Sequence, residues 1–406
     1  MNRIILIGNG FDIAHGKKTS YENFINDFWK NKGVEVIQNQ EPHECEFLKL
    51  NKPVNGKFSD LSNFSDFDRF IKKPRIEAEI KNKFFWNLCQ KQSLENWVDI
   101  ENEYYQRLKI ISKKNDINNK DALESLNSDF SQVKKILAEY ITKVDDDDGN
   151  LKQIKKLKYP INNKIYSEFS YKDFETKFMV KKIKEMRGLI SDDELNERLD
   201  VTNKKPYNQN NKYLIDEYEK IKLMNVMDDE DRFEYIKPKN ILLLNFNYTD
   251  THKEYGIKDE KHGEIFEIKI HGCVHEPEKN PMIFGFGDEL DKDYQSLEDL
   301  DENEYLENIK SIKYLETDNY RKLLEFAESD NFQIFIFGHS CGNSDRTLLN
   351  TLFEHENCIS IKPFYHKRDD GTDNYSEIVR NISRNFTSKA TMRERVVNKT
   401  YTEPLT

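Results

Sequence analysis

The sequence has few of the residues that mark secreted, zinc-binding or membrane proteins. Its 406 residues include five cysteines, at positions 45, 89, 273, 341 and 358, and none of them forms a C-x-x-C pair. This spacing excludes a four-cysteine zinc ribbon and is typical of a chain in a reducing compartment. No stretch approaches the roughly 18 apolar residues of a membrane span, and the opening apolar run is too short for a signal peptide. We therefore expect a cytoplasmic protein that does not bind membranes.

Glycine and proline are also scarce, at 15 and 10 residues, which excludes a collagen-like or low-complexity chain. Charged residues are abundant at 34%, and the net charge is −11. An acidic chain is not expected to coat nucleic acid, although a basic stretch lies at 181–187. The length suits one large domain with insertions or two modest domains.

The first dozen residues carry the clearest structural signal. Residues 4–7 are a short apolar run rich in β-branched side chains, which predicts a buried strand of a parallel sheet. Gly8-Asn9-Gly10 follows, and a strand that leads through a glycine turn into a helix is the outline of a phosphate cradle. A strand exit without a ligand is the alternative, because Ile13 stands where a dinucleotide fingerprint has its third glycine.

Two helices are predicted close to this turn. Thr19 opens a capping box that starts a helix at Ser20 and leaves residues 8–18 as a long loop. A second helix, over residues 93–111, places Glu101 on a face with aromatic side chains. That carboxylate either pairs with a basic residue at a helix contact or reaches the hydroxyl groups of a ligand.

The composition divides the chain into three parts. Residues 1–111 and 238–390 carry the strand signals and are predicted to form a discontinuous α/β core. Residues 112–237 are rich in Lys, Asp, Asn and Glu and are predicted to be a mainly helical insertion or lid. Residues 391–406 form a polar C-terminal tail, which we expect to be loose.

Five apolar runs end in polar or glycine-rich residues. They cover 4–7, 241–244, 265–270, 282–284 and 332–337, and the residues that follow or close them read GNGFD, NFNYT, HG, GFGD and GHSCGNSD. The carboxyl ends of the strands in an open parallel sheet line one crevice, and ligands bind there. The sequence therefore predicts a ligand site at this edge of the sheet.

These motifs resemble those of the bacterial abortive-infection AbiH family. The matching segments are GNGFDIAHGKKTSY at 8–21, WVDIE at 97–101, FNYTDT at 246–251, IHG at 270–272, FGFGD at 284–288 and FGHSCGNSD at 337–345. That family in turn resembles sirtuin-like proteins, which bind NAD in a Rossmann-like domain and several of which hydrolyse NAD in defence. The resemblance implies an α/β fold with a sirtuin-like, Rossmann-type parallel sheet, helices on both faces and a helical insertion.

The same resemblance implies a site. His271 and Asn247 match catalytic positions, the histidine as base and the asparagine as the group that orients a ribose hydroxyl or a water. The residues implied to contact NAD are Gly8, Asn9, Gly10, Phe11, Asp12, Thr19, Glu101, Tyr248, Thr249, Gly338, His339, Ser340 and Asp345. The chain has no zinc-binding cysteine quartet, so the resemblance does not extend to lysine deacetylation, and we expect no metal.

We expect an antiphage protein that binds NAD, or a related adenine nucleotide, and hydrolyses the nicotinamide–ribose bond. That cleavage passes through an oxocarbenium-like transition state, as glycoside hydrolysis does. The alternative is a non-catalytic nucleotide sensor that acts through a defence-system partner. A phage-derived trigger and self-association of the chain both stay open.

Two local motifs suggest other chemistries. Gly338–Gly342 is a literal G-x-S-x-G, the nucleophile elbow of α/β-hydrolases, with Ser340 as nucleophile. His271, Cys273 and His275 alternate like zinc ligands, but no fourth ligand accompanies them. Both rank below the nucleotide interpretation. Gly342-Asn343 is typical of a turn that delays the helix after Ser340, and Gly272 and Pro277 indicate that the strand has already ended at the candidate zinc ligands.

Overall fold

A computed structural model describes residues 1–38, 43–50, 61, 63–74, 76–95, 99–113, 119–175, 177–178, 237–255 and 264–406. Trp97 and the basic stretch 181–187 lie outside these residues. Within them, no helix combines the length and the apolar character that crossing a membrane requires.

Five parallel strands form the central sheet. They are β1 (Asn2–Ile7), β4 (Asn240–Asn245), β5 (Glu264–Lys269), β6 (Phe332–Phe337) and β7 (Cys358–Phe364), while β2 (Leu48–Leu50) and β3 (Ala78–Ile80) pair antiparallel in a separate sheet. The order across the sheet is β5-β4-β1-β6-β7. β1 is thus the central strand, and all six of its residues are buried, as its apolar run predicts.

The described residues also form helices of different lengths. In chain order they are α1 (Asn9–Ala14), α2 (Tyr21–Phe28), α3 (Val34–Gln38), α4 (Phe64–Ile71), α5 (Lys83–Glu95), α6 (Ile100–Ser112), α7 (Asn119–Asp145), α8 (Leu151–Ile165), α9 (Tyr294–Glu298), α10 (Lys310–Lys313), α11 (Asn319–Ser329), α12 (Arg346–Phe353), α13 (Tyr375–Asn385) and α14 (Lys389–Arg395).

Helices cover both faces of the sheet. On one face, Ile4 and Leu6 of β1 lie in an apolar cluster with side chains of α11, α12 and α13. On the other face, Ile5 and Ile7 lie in a cluster with α1 and α8. This division follows from the alternation of side chains along a strand. α8 falls within the region 112–237 that was predicted to be an insertion, yet it packs directly on the sheet.

A third apolar cluster joins α2 and α4–α7 to the segment that follows β5. Phe284 stacks on Phe130 of α7 with ring centroids 4.9 Å apart, and Phe286 stacks on Tyr105 of α6 at 4.0 Å. Stacked and offset rings at such distances add to the apolar burial. These contacts hold the segment around 284–286 against the helical layer, at the carboxyl edge of the sheet.

The turn after β1 differs from its prediction. Residues 8–18 are not a long loop, because α1 begins at Asn9, directly after Gly8. The next helix begins at Tyr21, and Ser20 is its N-cap, with a side-chain oxygen that accepts the Asn23 N–H. Thr19 is therefore not the cap, and its hydroxyl donates instead to Asn9 Oδ1 at 2.5 Å.

Two further predictions need correction. The single helix expected over 93–111 is two helices, and α6 starts afresh at the N-cap Asp99, which accepts the Asn102 N–H. Residues 282–284 do not form a strand, although the Ile283 N–H donates to the His271 carbonyl at 2.8 Å. Four of the five predicted runs are thus strands of the parallel sheet, and the fifth is not.

The C-terminal residues are not loose. α14 crosses the start of the predicted tail, and both Val397 and Leu405 are buried. Single bridges join Val396 to Ile361 of β7 and Pro404 to Tyr365, just beyond β7. The tail therefore protects the outer edge of β7, which would otherwise expose unpaired backbone groups. How the chain divides into domains remains a prediction.

Candidate functional site

A buried group of charged side chains lies at the carboxyl ends of β5 and β6. Lys310 Nζ is 2.9 Å from Glu101 Oε2 and 2.7 Å from Asp345 Oδ1. Two histidines approach Asp345 as well: His271 Nε2 is 3.0 Å from Oδ1, and His339 Nε2 is 3.6 Å from Oδ2. We call these five residues the charge cluster. The sequence predicted four of them as site residues, and the structure brings those four together.

The local backbone fixes the two acidic members of the charge cluster and Lys310. Glu101 lies in the first turn of α6, where a negative charge suits the helix dipole, and its Oε1 accepts the Gly285 N–H at 3.1 Å. Asp345 ends the short turn that leads into α12. Lys310 begins α10, and its own N–H donates to the Phe286 carbonyl at 2.9 Å. The segment 285–286 therefore orders both Glu101 and Lys310.

Burial and charge divide the two carboxylates. Burial raises the pKa of Glu101 above its usual range, although Lys310 opposes the shift. Burial acts in the same direction on Asp345, but Lys310 and His271 outweigh it and hold the pKa of Asp345 well below its usual range. The two carboxylates in turn raise the pKa of Lys310 against burial. Asp345 and Lys310 are therefore the fixed charges, and Glu101 binds a proton more readily.

His271 has an acceptor beside each ring nitrogen. Its Nδ1 lies 3.1 Å from the Phe246 carbonyl oxygen, and its Nε2 faces the Asp345 carboxylate and, at 3.3 Å, the Tyr314 hydroxyl. Burial and then Lys310 lower the pKa of His271 to about 4, so the ring is neutral at neutral pH. A neutral imidazole has one N–H, whereas the acceptors on the two sides of His271 can accept hydrogen bonds from two N–H groups. The hydrogen-bonding geometry thus suits the protonated ring, and the charge of Lys310 opposes it.

His339 has a defined tautomer. The Cys341 N–H donates to its Nδ1 at 3.0 Å, so the ring hydrogen is on Nε2, which points to Asp345. The ring also packs on Phe246, with centroids 4.2 Å apart. His339 therefore holds Asp345 in place and is not oriented to accept a proton.

Aromatic side chains cover the charge cluster. The Tyr248 hydroxyl donates to the Ile283 carbonyl at 2.9 Å, and the Tyr314 ring stacks parallel to His271. Burial, together with the charges of Glu101 and Asp345, raises the pKa of both tyrosines. All five cluster side chains are at most one-tenth exposed. A ligand could reach them only after this cover moves.

The glycine turn is packed rather than open. A Cβ on Gly8 would lie 2.4 Å from His339 Cα, and one on Gly10 would lie 2.8 Å from the Gly338 carbonyl oxygen. The Gly10 N–H already donates to that oxygen at 2.9 Å. These glycines allow the loops after β1 and β6 to touch, so the turn is not a vacant phosphate cradle in this conformation.

Asn247 ties β4 to the same turn. Its side-chain amide donates to the Gly8 carbonyl at 3.0 Å, and its N–H donates to Asn245 Oδ1 at 2.9 Å. Thr249, two residues further, donates to the buried Asp12 at 2.6 Å. These contacts place Asn247 next to the cluster, because the neighbouring Phe246 contacts both histidines. A catalytic role for Asn247 stays a prediction.

The remaining residues that were predicted to contact the ligand differ in how far they are exposed. Asn9 is exposed and bonds to Thr19, and Phe11 is in the core against Phe337 and His15. Ser340 is exposed, and its carbonyl accepts the side-chain amide of Asn381. Phe11 has the surroundings of a packing residue, whereas Asn9 is accessible to a ligand.

The segment around Ser340 does not have the geometry of a nucleophile elbow. Such an elbow puts the nucleophile on a strained turn, but among the described residues the positive φ angles outside glycine belong to Asp301 and Cys341. Cys341, at φ 54°, is fully buried, and burial raises the pKa of its thiol. Neither Ser340 nor Cys341 combines strain, access and activation, which argues against the hydrolase alternative.

The three candidate zinc ligands after β5 point to different partners. His271 contacts Asp345, Cys273 Sγ lies 3.1 Å from Lys269 Nζ, and His275 Nε2 lies 3.0 Å from Asp145 Oδ2. They therefore do not converge on one centre in this structure.

Asp145, Asp250 and His275 are close enough to share a cation, with ligand atoms within 4.8 Å of one another. However, Lys17 Nζ is 2.6 Å from Asp145, and Lys269 forms an ion pair with Asp250. The carboxylates are thus already neutralised, and a divalent ion would meet both ammonium groups. This charge balance disfavours a metal at these residues.

Asp12 gives a pH-dependent prediction. Burial raises its pKa to about 6, although Thr249 and Thr251 donate hydrogen bonds to it, and its Oδ1 has no partner among the described residues. Because the pKa is higher in the folded chain than in the unfolded chain, the wild type loses stability as the pH rises from about 4 to 6. Asp12→Asn avoids this cost and should raise the free energy of unfolding by about 2 kcal/mol at pH 7.5.

Urea unfolding of both proteins at pH 7.5 and at about pH 5 measures the effect. The advantage of the Asp12→Asn variant over the wild type should be clearly smaller at the lower pH. An advantage that does not change with pH would show that Asp12 is ionised throughout and that its pKa is not raised.

Lys310 is the cluster residue that the sequence did not reveal. It lies in a segment with many charged residues and belongs to none of the motifs at the strand ends. Only the buried acid Glu101 hinted at it, because a carboxylate among aromatic side chains requires a cationic partner. The predicted alternative for Glu101, an ion pair at a helix contact, is therefore present in the structure.

The comparisons with known proteins identify a family. The family model for bacteriophage abortive infection AbiH matches residues 4–366, which include the whole charge cluster. Comparison with the curated proteins and with the solved structures gave no match.

Proposed function

The chain belongs to the bacteriophage abortive infection AbiH family, and we propose that it serves abortive infection by binding NAD at the carboxyl edge of its sheet and hydrolysing the nicotinamide–ribose bond. His271 is the proposed general base: its Nε2–H donates to Asp345, and its Nδ1, the nitrogen that faces the Phe246 carbonyl, takes a proton from the attacking water. Asp345 orients His271 and stabilises the imidazolium that forms.

The geometry of His271 carries the proposal. Its two ring nitrogens face the Phe246 carbonyl and the Asp345 carboxylate, so the surroundings favour a ring that has gained a proton. A base whose protonated form is the better hydrogen-bond partner becomes more stable as the reaction proceeds. In an oxocarbenium-like hydrolysis, that proton comes from the water that attacks the ribose.

The topology supports a nucleotide as the ligand. Counted along the chain, the five strands of the main sheet have the spatial order 3-2-1-4-5. This is the order of the first five strands in doubly wound dinucleotide-binding sheets, where the ligand binds at the switch point between strands 1 and 4. In this chain the switch point lies between β1 and β6, where the glycine turn meets Gly338.

The experiment is incubation of the purified 406-residue chain with NAD, followed by measurement of released nicotinamide and of bound nucleotide. Nicotinamide release supports the enzyme. Tight binding without turnover would favour the nucleotide sensor. The closed cover over the charge cluster supports that alternative. Failure to bind any adenine dinucleotide would exclude both.

Ser340→Ala separates this reaction from hydrolase chemistry. Ser340 is exposed and lies outside the charge cluster, so its loss should change affinity by at most ~10-fold and leave turnover at saturating NAD nearly intact. A serine nucleophile would instead lose activity by a factor on the order of 10⁶. Labelling of Ser340 by a serine-directed phosphonate, with loss of activity, would contradict the NAD mechanism.

A further inference from the structure

Lys310 is buried and contacts both acidic members of the charge cluster. We infer that Lys310 is a positioning residue of the site: its ammonium group fixes the Asp345 carboxylate beside His271 and supplies, at the oxygen that His271 faces, the positive charge that a protonated His271 would otherwise supply. The geometry of the cluster carries this inference, and its consequence for catalysis rests on the proposed function.

The placement of Lys310 explains why Asp345 stays charged. Asp345 Oδ1 is shared between Lys310 Nζ at 2.7 Å and His271 Nε2 at 3.0 Å, so the lysine and the histidine compete for one oxygen. Lys310 already supplies a permanent positive charge at that oxygen. His271 therefore does not need to become protonated to balance Asp345.

The groups that face His271 come from every element around it. They are Asp345 and His339 from the loop after β6, Lys310 and Tyr314 from the segment around α10, and Tyr248 from the loop after β4. Among them, Asp345 favours the imidazolium, whereas Lys310 and His339 disfavour it. Lys310 carries the permanent charge that opposes protonation.

Removal of Lys310 should therefore strengthen His271 as a base. The imidazolium would become the nearest cation to Asp345, and an opposite charge at this distance raises a pKa by about one to three units. In the proposed reaction, Lys310 therefore keeps His271 a weak base.

The test is NMR titration of His271 in protein with ¹³C-labelled histidine, and His271→Gln assigns its signal among the nine histidines. In the wild type, His271 should titrate near pH 4. In Lys310→Met, its pKa should rise by about one unit or more, while in Glu101→Gln, which keeps the ammonium group, it should stay close to the wild-type value.

Lys310→Met leaves two buried carboxylates without their cation and can fail to fold. The double variant Glu101→Gln/Lys310→Met avoids this problem, because it removes both charges of the Glu101–Lys310 ion pair. The pKa of His271 should rise in this protein too. An unchanged pKa in the folded double variant, or an equal rise in Glu101→Gln alone, would overturn the inference.

The same variants distinguish this inference from the proposed function. If the wild type releases no nicotinamide but the pKa of His271 rises on loss of Lys310, the positioning role stands and the NAD reaction falls. If the wild type releases nicotinamide and the pKa does not move, the reaction stands and Lys310 has only a structural role.

Discussion

Gly338→Ala should lower the free energy of unfolding by about 3 kcal/mol or more. Gly338 has a φ of 69°, a left-handed conformation that costs other residues about 1–2 kcal/mol. A Cβ at this position would also lie 2.1 Å from the Phe11 N atom and 2.5 Å from the Gly10 carbonyl carbon. Both atoms belong to the backbone of the glycine turn, so the clash can be relieved only if the loops after β1 and β6 separate. Overpacking of this kind adds about 1–3 kcal/mol to the loss of stability.

Two glycines of the same chain provide matched controls. Gly371 also has a positive φ, 84°, but a Cβ there would meet no described atom within 4 Å, so Gly371→Ala should cost about 1 kcal/mol from backbone strain alone. Gly342 has a φ of −68° and ordinary contacts, so Gly342→Ala should be nearly neutral.

Urea unfolding of the three alanine variants ranks these costs. The expected order of destabilisation is Gly338, Gly371, Gly342. If Gly338→Ala were no worse than Gly371→Ala, the close approach of the two loops in the structure would be wrong.

The fold was predictable where the sequence had a simple period. The apolar run at 4–7 predicted a buried strand, and the runs at 241–244 and 332–337 predicted two more, which the structure shows as β4 and β6 on either side of β1. What failed was local: residues 282–284 are apolar because Phe284 stacks on Phe130, and not because they join the sheet. A short apolar run cannot distinguish these two kinds of burial.

The site was predictable in position but not in its electrostatics. Parallel strands deliver His271 and His339 to one edge, so the strand pattern was sufficient to place them together. The pairing of Lys310 with Glu101 joins residues that lie far apart in the chain, on the helical layer and on α10. No periodicity encodes such a contact, because it depends on how the helical layer docks against the sheet.

The glycine turn shows how one signal serves two physical needs. A strand exit rich in glycine predicts the approach of a ligand's phosphates, but it equally permits the approach of another backbone. In this structure the backbone that approaches the glycine turn is the loop after β6. Its Gly338 carbonyl oxygen accepts the hydrogen bond from the Gly10 N–H, which would otherwise be available to a phosphate oxygen. Binding of NAD at the switch point would therefore require these two loops to move apart.

His271→Gln should reduce the release of nicotinamide from NAD by at least ~100-fold. Glutamine can still donate a hydrogen bond to Asp345, so the charge cluster keeps its partner and the fold should survive. An amide cannot take up a proton, however, and the water that attacks the ribose would lose its base. The measurement is turnover at saturating NAD, with urea unfolding to confirm that the stability is close to that of the wild type.

His366→Gln is the matched control. His366 is an exposed histidine that follows β7, at the same carboxyl edge of the sheet but at its opposite end from β5. Its replacement should leave turnover unchanged. Equal loss in both variants would indicate a general effect of histidine removal, and no loss in either would place the base elsewhere.

The pH dependence of turnover provides a second, independent test of His271 as the general base. A base must be neutral to act, and burial with Lys310 lowers the pKa of His271 to about 4. Turnover should therefore not fall on account of His271 between about pH 8 and pH 5, whereas an ordinary surface histidine would be largely protonated at the lower limit. A fall with a midpoint near 6.5 would mean that His271 is exposed to water during turnover, with the cover that a ligand must displace open throughout, and that neither burial nor Lys310 lowers its pKa in the active protein.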